Sequence, residues 1–216
     1  MGWKKRNKFT VEYINNLKDK LSINYEHPLL YNGNLDGFES NKDNLDLKTQ
    51  FIKVNEIYKL QSIDIKKYLN ILDSDKILDI GCSSGLMAYN MSNYLIGIDP
   101  SNFCIEKFNE INKNNMGFVC KDSTNIFFPD KSFDYVISTG TFHYFESNDY
   151  CIKVLEECKR IAKKGIYIQN IYESSNYKEH RTYPKIFFEN LNYNIIVPNH
   201  YYKFNYQNHY DIYYLF

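Results

Sequence analysis

Apolar residues in this chain form short runs and helical stripes that alternate along most of its length. The clearest example spans Lys76 to Pro100, where an apolar run, a turn of small residues, a stretch with helical spacing and a second apolar run follow one another. Such short apolar runs are typical of buried parallel strands. This stretch therefore predicts a strand, a tight turn, a helix and a second strand that ends on Asp99.

The same alternation continues towards the end of the chain. Strands that alternate with helices form mostly parallel sheets with helices on both faces. We therefore expect an α/β fold of the Rossmann type with seven strands. After the first two strands, further strands are expected near 116–120, 133–138, 166–170, 193–199 and 210–216, with helices near 101–115, 149–164 and 184–191 and Gly165 ending the second of these helices.

The first part of the chain has a more helical pattern. We expect residues 1–72 to form an N-terminal helical extension and residues 73–216 to form one compact domain. The apolar stripes are typical of amphipathic helices that pack on a core. Helices are expected over 9–21, 46–61 and 63–72, with Ser62 as the N-cap of the third.

A long connector, residues 23–44, interrupts these helices. It combines turn signals with several aromatic side chains, among them Tyr31. Connectors of this length in compact domains are generally functional or disordered. We consider two interpretations: a lid that closes over a binding site, and a surface loop whose aromatic residues anchor the first helix.

Composition excludes several classes of protein. The 216 residues carry 26 basic and 26 acidic side chains, so no net charge draws the protein to nucleic acid or to an anionic membrane. No apolar run approaches the roughly 18 residues of a membrane span. The five cysteines lack the spacing of metal ligands and are expected to be reduced thiols. We therefore expect a cytoplasmic protein without a metal site or a nucleic-acid partner, whose oligomeric state the sequence leaves open.

The turn between the first two strands has the composition of a nucleotide-binding turn. Small residues between Gly81 and Gly85 let a ligand approach the backbone, and a helix start offers unpaired N–H groups. An acid at the end of the second strand, here Asp99, accepts the hydroxyls of a ribose. A dinucleotide-binding turn would require glycine at positions 83 and 86, which hold Ser83 and Leu86.

The stretch D-I-G-C-S-S-G resembles the first motif of the class I S-adenosylmethionine-dependent methyltransferases, D/E-x-G-x-G-x-G, with Ser83 in place of the middle glycine. The resemblance extends over about 77–170 and is strongest to the small-molecule methyltransferase domain of ubiquinone and menaquinone biosynthetic enzymes. It implies an antiparallel last strand, S-adenosylmethionine as cofactor and methyl transfer to a small molecule by in-line displacement. Four blocks carry it: ILDIGCSSG, LIGIDPS, KDSTNIFFPDKSFDYVIS and LEECKRIAKKGIYIQ.

The resemblance also implies which residues bind the cofactor. Asp99 would take the ribose hydroxyls and Asp122 the adenine amino group, while Asp79 would orient the turn or meet the amino group of the methionine portion. The alternative for Asp99 is a helix N-cap, and the alternative for Asp122 is a turn-forming aspartate. The complete implied set is Asp79, Gly81, Ser83, Gly85, Asp99, Asp122, Ser123 and Thr139.

The acceptor site is expected outside the cofactor core. The resemblance places His143 beside the transferred methyl, where it would act as a general base for an acceptor that must lose a proton. The alternative is a histidine packed among its aromatic neighbours. A different function, a non-catalytic S-adenosylmethionine-binding subunit that supports a partner enzyme, also fits the sequence. Candidate acceptor contacts are Tyr31, Tyr172, His180 and Arg181, since small-molecule sites mix aromatic and polar side chains.

Overall fold

One seven-stranded sheet, with the strand order β3-β2-β1-β4-β5-β7-β6, organises the protein. The computed structural model describes residues 60–83, 85, 87–88, 91–111, 115–175, 178, 180–199, 201 and 208–216. The sheet confirms the predicted Rossmann-like fold. Its strands are β1 (Lys76–Ile80), β2 (Tyr94–Asp99), β3 (Met116–Val119), β4 (Phe133–Thr139), β5 (Ala162–Tyr172), β6 (Asn194–Ile196) and β7 (His209–Leu215).

The strand directions explain where a ligand can bind. Strands β1 to β5 are parallel to one another, whereas β7 runs antiparallel to both β5 and β6, which confirms the predicted antiparallel last strand. The chain builds outwards from β1 to β3 and then crosses back to β4. The order therefore reverses between β1 and β4, and the carboxyl ends of the strands at such a switch point form a ligand crevice.

Helices cover both faces of the sheet. On one face, buried residues of α3 and α4 belong to one core cluster with Leu78 and Ile80 of β1, and on the other face residues of α1 and α2 belong to a second cluster with Ile77. This division follows from the alternation of side chains along a strand. The helices are α1 (described over 60–69), α2 (Asn102–Ile111), α3 (Asn148–Ile161) and α4 (Lys185–Glu189), and a short 3₁₀ helix covers Phe142–Tyr144.

The helix start predicted at Ser62 is wrong. The helix α1 runs without a break over 60–69, so Ser62 lies inside it. Its buried positions Gln61, Ile65 and Leu69 recur every four residues and face the sheet, which explains the continuity. Residues 1–59, including Tyr31 and the 23–44 connector, lie outside the described residues. The extension, its boundary at residue 72 and the lid therefore stay predictions.

The boundary predicted at Gly165 is also wrong. The helix α3 ends at Ile161, and β5 begins at Ala162. The early start follows from pairing with β4, in which Phe133 faces Ala162 and Tyr135 faces Gly165. A Cβ atom on Gly165 would lie 2.8 Å from Leu215 Cδ2 and 3.0 Å from the Tyr214 carbonyl oxygen. The glycine therefore serves close packing against β7 and does not stop a helix.

The connection between β1 and β2 lacks the predicted helix at its described positions. Residues 87, 88 and 91 form turns, and the Met91 N–H donates to the Ala88 carbonyl over 2.9 Å. Both of these residues are fully buried. Their apolar spacing therefore reflects contact with the core.

Two further expectations from the sequence concern membrane-spanning helices and cysteines. No helix in the described part of the chain is long and apolar enough to cross a membrane. The five cysteines are all buried and unbridged, as expected for structural thiols.

Candidate cofactor and acceptor site

The turn after β1 adopts a backbone conformation that favours glycine. Gly81, Ser83 and Gly85 have φ angles of +71°, +49° and +80°. The Gly81 and Cys82 N–H groups donate to the Ile98 carbonyl over 2.8 and 3.1 Å, which ties the turn to β2. Left-handed residues at three positions bend the chain sharply, and the turn is built from small residues.

Close contact with Thr141 also requires glycine at position 81. A Cβ atom at Gly81 would lie 2.2 Å from Thr141 Oγ1 and 2.6 Å from Thr141 Cγ2. Thr141 follows the end of β4, and its hydroxyl lies 3.3 Å from both the Ile80 and the Thr139 carbonyl oxygens. The ends of β1 and β4 therefore meet in direct contact beside the switch point.

Asp99 links the turn to the end of β2. Its carboxylate is buried and accepts the Ser83 N–H over 3.1 Å and the Ser101 N–H over 2.8 Å. Burial raises the pKa of Asp99, and the hydrogen bonds from Ser101 and Ser83 oppose that rise. The N-cap of α2 is Ser101, whose hydroxyl accepts the Cys104 N–H over 3.3 Å. Asp99 itself therefore shapes the loop but does not cap the helix.

Asp79 is a second buried acid and lies in β1, which pairs with the strand that ends on Asp99. Burial raises its pKa well above the usual range, and the charge of Asp99 raises it further. Within the described part of the chain, no group donates a hydrogen bond to its carboxylate. Two buried acids at adjoining strand ends create a site that favours a positively charged ligand group.

Asp122 lies beyond the end of β3 and is exposed. Its Oδ1 atom accepts the Thr124 N–H over 2.9 Å and the Thr124 hydroxyl over 2.8 Å, and these bonds lower the pKa of Asp122. The N–H of the adjacent Ser123 donates to the Tyr150 hydroxyl over 3.0 Å. Asp122 thus forms a turn, as its alternative interpretation expects, and still presents an ionised carboxylate at the edge of the sheet.

The last residue of β4, Thr139, connects the edge to a buried network. Its hydroxyl lies 3.3 Å from Gln169 Oε1, and Gln169 Nε2 donates to Asp211 over 3.2 Å. Sequence reasoning missed both Gln169 and Asp211. The sequence signal for Asp211 was an acidic residue within a segment of mostly apolar and aromatic residues, His209–Leu215.

His143 lies in the 3₁₀ helix just beyond β4 and is 3% exposed. Its ring centroid is 4.0 Å from that of Tyr144 and 4.5 Å from those of Tyr172 and His180. The structure therefore brings together three predicted residues: His143, Tyr172 and His180. We call the four residues His143, Tyr144, Tyr172 and His180 the aromatic cluster. The packing partners expected for His143 were Phe142, Tyr144 and Phe145, of which only Tyr144 makes a ring contact with it among the described residues.

Arg181 is adjacent to this cluster but is used by the fold. Its guanidinium donates to the Phe145 carbonyl over 3.0 Å and to the Glu146 carbonyl, and it lies 3.4 Å from Asn148 Oδ1. Its backbone N–H donates to the His143 carbonyl over 2.8 Å. Arg181 therefore holds the loop before α3 in place, beneath the aromatic cluster.

The comparison with protein families explains this arrangement. Residues 78–168 match a family model described as a methyltransferase domain. Within these residues the chain carries an S-adenosylmethionine-dependent methyltransferase domain with the class I fold. The matched residues run from β1 to β5 and so include the glycine turn, Asp99, Asp122 and His143.

Solved structures share the fold of this methyltransferase domain. The PH0226 protein from Pyrococcus horikoshii OT3 is 21% identical, with a TM-score of 0.60, over 84% of this chain and 97% of that one. A SAM-dependent methyltransferase from Aquifex aeolicus is 17% identical, with a TM-score of 0.53, over 74% of this chain and 97% of that one.

A third structure matches the whole chain. Phosphoethanolamine N-methyltransferase 1 from Haemonchus contortus, in complex with phosphoethanolamine and S-adenosylhomocysteine, is 13% identical, with a TM-score of 0.65. The match covers 100% of this chain and 50% of that one, so the chain spans half the length of that enzyme. No curated protein matches the chain.

Proposed function

We propose that this methyltransferase transfers the methyl group of S-adenosylmethionine to a small-molecule acceptor that binds beside the aromatic cluster. The observation that carries the proposal is the convergence of a left-handed turn and two buried acids at the switch point of the sheet. Such a crevice is where open α/β sheets bind their ligands. The cofactor supplies a methyl group on a sulfonium, so that the leaving group is a neutral thioether.

Each proposed cofactor contact has a physical basis in this chain. The turn from Gly81 to Gly85 allows the backbone to approach the methionine portion closely. A carboxylate offers about four acceptor sites. Asp99 uses two of them for Ser83 and Ser101, which leaves acceptor capacity for the two ribose hydroxyls. Asp122 and Ser123 lie further along the same edge, at the position proposed for the adenine.

The charge of the site also favours this ligand. Asp79 and Asp99 lie close enough for the charge of one to raise the pKa of the other. A bound cation beside them lowers both pKa values and stabilises the ionised carboxylates. S-adenosylmethionine carries a sulfonium and an ammonium group, and S-adenosylhomocysteine keeps the ammonium. We therefore propose that Asp79 faces the methionine portion.

The aromatic cluster is the proposed place of the acceptor. It begins just after β4 and includes Tyr172 at the end of β5, so it adjoins the end of the sheet where Thr139 lies. Positioning donor and acceptor in line is worth up to about 7–11 kcal/mol and requires no catalytic group. Where the acceptor carries a proton that must leave, we propose that a neutral His143 removes it.

Binding of the product cofactor tests the first half of the proposal. Titration calorimetry with S-adenosylhomocysteine is expected to show binding by the wild type, and Asp99→Ala to weaken it by about 1.5–3 kcal/mol, because hydrogen bonds to a charged group are lost. The matched control is Asp73→Ala, since Asp73 is exposed and precedes β1. Folded wild-type protein that gives no heat at high micromolar ligand contradicts the proposal, as does an Asp99→Ala affinity equal to that of the control.

A transfer assay tests the second half. S-adenosylmethionine labelled in the methyl group is incubated with the enzyme and a cell extract, and the extract is then separated by size. We expect label in the small-molecule fraction, and its loss in His143→Phe, which keeps an aromatic ring in the cluster and retains cofactor binding. Label found only in protein or nucleic acid would exclude a small-molecule acceptor.

A further inference from the structure

A buried carboxylate, Asp211, lies in β7, and none of the steps described above uses it. The side chain is 0% exposed and accepts four hydrogen bonds. The donors are the Tyr167 hydroxyl at 2.8 Å, Gln169 Nε2 at 3.2 Å, the Asn170 N–H at 3.0 Å and the Tyr201 hydroxyl. A buried carboxylate with this many partners is a built feature of the fold.

The backbone departs from regular pairing to reach Asp211. The register between β5 and β7 shifts between Ile168 and Ile171, and Asn170 within that bulge has a φ of +63°. The bulge directs the Asn170 N–H towards both Asp211 and the Tyr201 hydroxyl. Bulges and left-handed non-glycine residues concentrate near functional sites, where they aim a particular group.

Among the described residues, hydroxyl, amide and acidic groups surround Asp211, and no cationic side chain pairs with it. Tyr167 from β5 and Tyr201 donate to it, and Tyr68 of α1 lies within electrostatic reach of it. Asp64 of α1 lies within electrostatic reach of Tyr68 and Tyr167. Burial raises the pKa of Asp211 to about 7, although the hydrogen bonds from Tyr201, Asn170, Tyr167 and Gln169 oppose that rise. Both protonation states of Asp211 are therefore accessible near neutral pH.

The network extends from Asp211 to the cofactor edge through one amide. Because Gln169 Nε2 donates to Asp211, the amide oxygen of Gln169 points towards Thr139. The hydrogen of the Thr139 hydroxyl is then directed to that oxygen, which leaves the lone pairs of the hydroxyl oxygen for another donor. If the amide turned over, its NH₂ would face Thr139 and the hydroxyl would present its hydrogen instead.

We propose that Asp211 is a positioning residue, whose carboxylate fixes the Gln169 amide so that Thr139 offers an acceptor oxygen to the donor groups of the bound cofactor. This inference rests on the proposed function, in which Thr139 contacts S-adenosylmethionine. Protonated Asp211 holds the amide less firmly, because its own O–H competes with the donors around it. Cofactor affinity therefore falls as the pH falls through about 7.

The test is a double-mutant cycle on S-adenosylhomocysteine affinity at pH 8. We expect Asp211→Asn, Gln169→Leu and Thr139→Val each to weaken binding roughly fivefold, within the usual range of such couplings. In the Thr139→Val background, Asp211→Asn is expected to add less than about twofold. Thr139→Ser keeps the hydroxyl and is expected to bind as the wild type does. Thermal unfolding of each variant shows that it is folded, and Gln169→Leu serves as the second test if Asp211→Asn does not fold.

A pH series separates positioning from a structural role. Wild-type affinity is expected to fall between pH 8.5 and pH 5.5, and Asp211→Asn to remove part of that dependence. Equal effects of Asp211→Asn with and without the Thr139 hydroxyl, or a pH dependence identical in both proteins, overturn the inference. Wild-type protein that binds no S-adenosylhomocysteine at any pH overturns the proposed function instead.

Discussion

Replacing Gly81 by alanine puts the tightest contact of the site to the test. The new Cβ atom would lie 2.2, 2.6 and 2.9 Å from Thr141 Oγ1, Cγ2 and Cβ, and contacts below 3.0 Å force one of the two residues to move. Neither has an easy escape, because Gly81 N–H is bonded to the Ile98 carbonyl and Thr141 begins the turn into the 3₁₀ helix. Alanine must also adopt the left-handed φ of +71°.

The two penalties can be given separate magnitudes. An L-residue in the left-handed region costs about 1–2 kcal/mol. Overpacking a well-packed site costs about 1–3 kcal/mol. Their sum, roughly 2–5 kcal/mol, is a large part of the 5–15 kcal/mol that stabilises an ordinary domain. Only the second penalty depends on Thr141, so Gly81→Ala in a Thr141→Gly background is expected to retain about 1–2 kcal/mol of destabilisation.

Urea unfolding followed by circular dichroism measures both quantities. At about 2 kcal/mol per molar urea, the single substitution shifts the midpoint by roughly 1–2.5 M. The cycle requires four proteins: the wild type, the two single variants and the double variant. A Gly81→Ala protein within about 0.5 kcal/mol of the wild type refutes the reasoning. An effect of equal size in the Thr141→Gly background refutes the assignment of the clash to Thr141.

Two further predictions concern groups away from the turn. Arg160 pairs with Glu157 and Asp130 at 2.8 Å and donates to the carbonyls of Ile126 and Phe128. Arg160→Lys is expected to lower the free energy of unfolding by about 1–2 kcal/mol, because an ammonium cannot reach all these acceptors. Urea unfolding measures this change, and a variant as stable as the wild type contradicts the prediction. The pKa of Asp211 is about 7 in the folded protein against an ordinary value of 3.8, so the folded protein keeps this carboxyl protonated up to a higher pH than the unfolded chain does. As the pH rises from about 4 to about 7, the free energy of unfolding of the wild type is therefore expected to fall by up to about 4 kcal/mol relative to that of Asp211→Asn, with no further loss above that. Urea unfolding across this pH range measures the difference, and a difference that is constant with pH contradicts the prediction.

Much of the fold could be predicted because each strand of the parallel core is a local apolar run. The first strand was expected at the start of the stretch from Lys76, and β1 is Lys76–Ile80. The strand expected at 133–138 is β4, which ends one residue later at Thr139. The errors arose where distant pairing overrides local preference. Gly165 looks like a helix stop in the sequence, but pairing with Tyr135 and packing against β7 place it inside a strand.

The candidate site was predictable to the extent that its residues follow strands directly. Asp99 was expected to end its strand and does so. Thr139 and Tyr172 follow the strands expected at 133–138 and 166–170 by one and two residues, and they are the last residues of β4 and β5. The partnership between Gln169 and Asp211 was not predictable in this way. It depends on an antiparallel pairing across 42 residues and on a bulge, and neither leaves a periodic pattern in the sequence.

The serine in the middle of the glycine turn follows from the contacts it makes. A left-handed serine is strained, since its φ of +49° lies in a region that glycine occupies without cost. The Ser83 hydroxyl lies 3.8 Å from Cys104 Sγ on α2, while its N–H reaches Asp99. The side chain therefore points away from the open side of the turn and towards α2, so a ligand above the turn still meets backbone. Because Asp99 holds the Ser83 N–H and is also the proposed ribose contact, the conformation of the turn and cofactor binding depend on the same carboxylate.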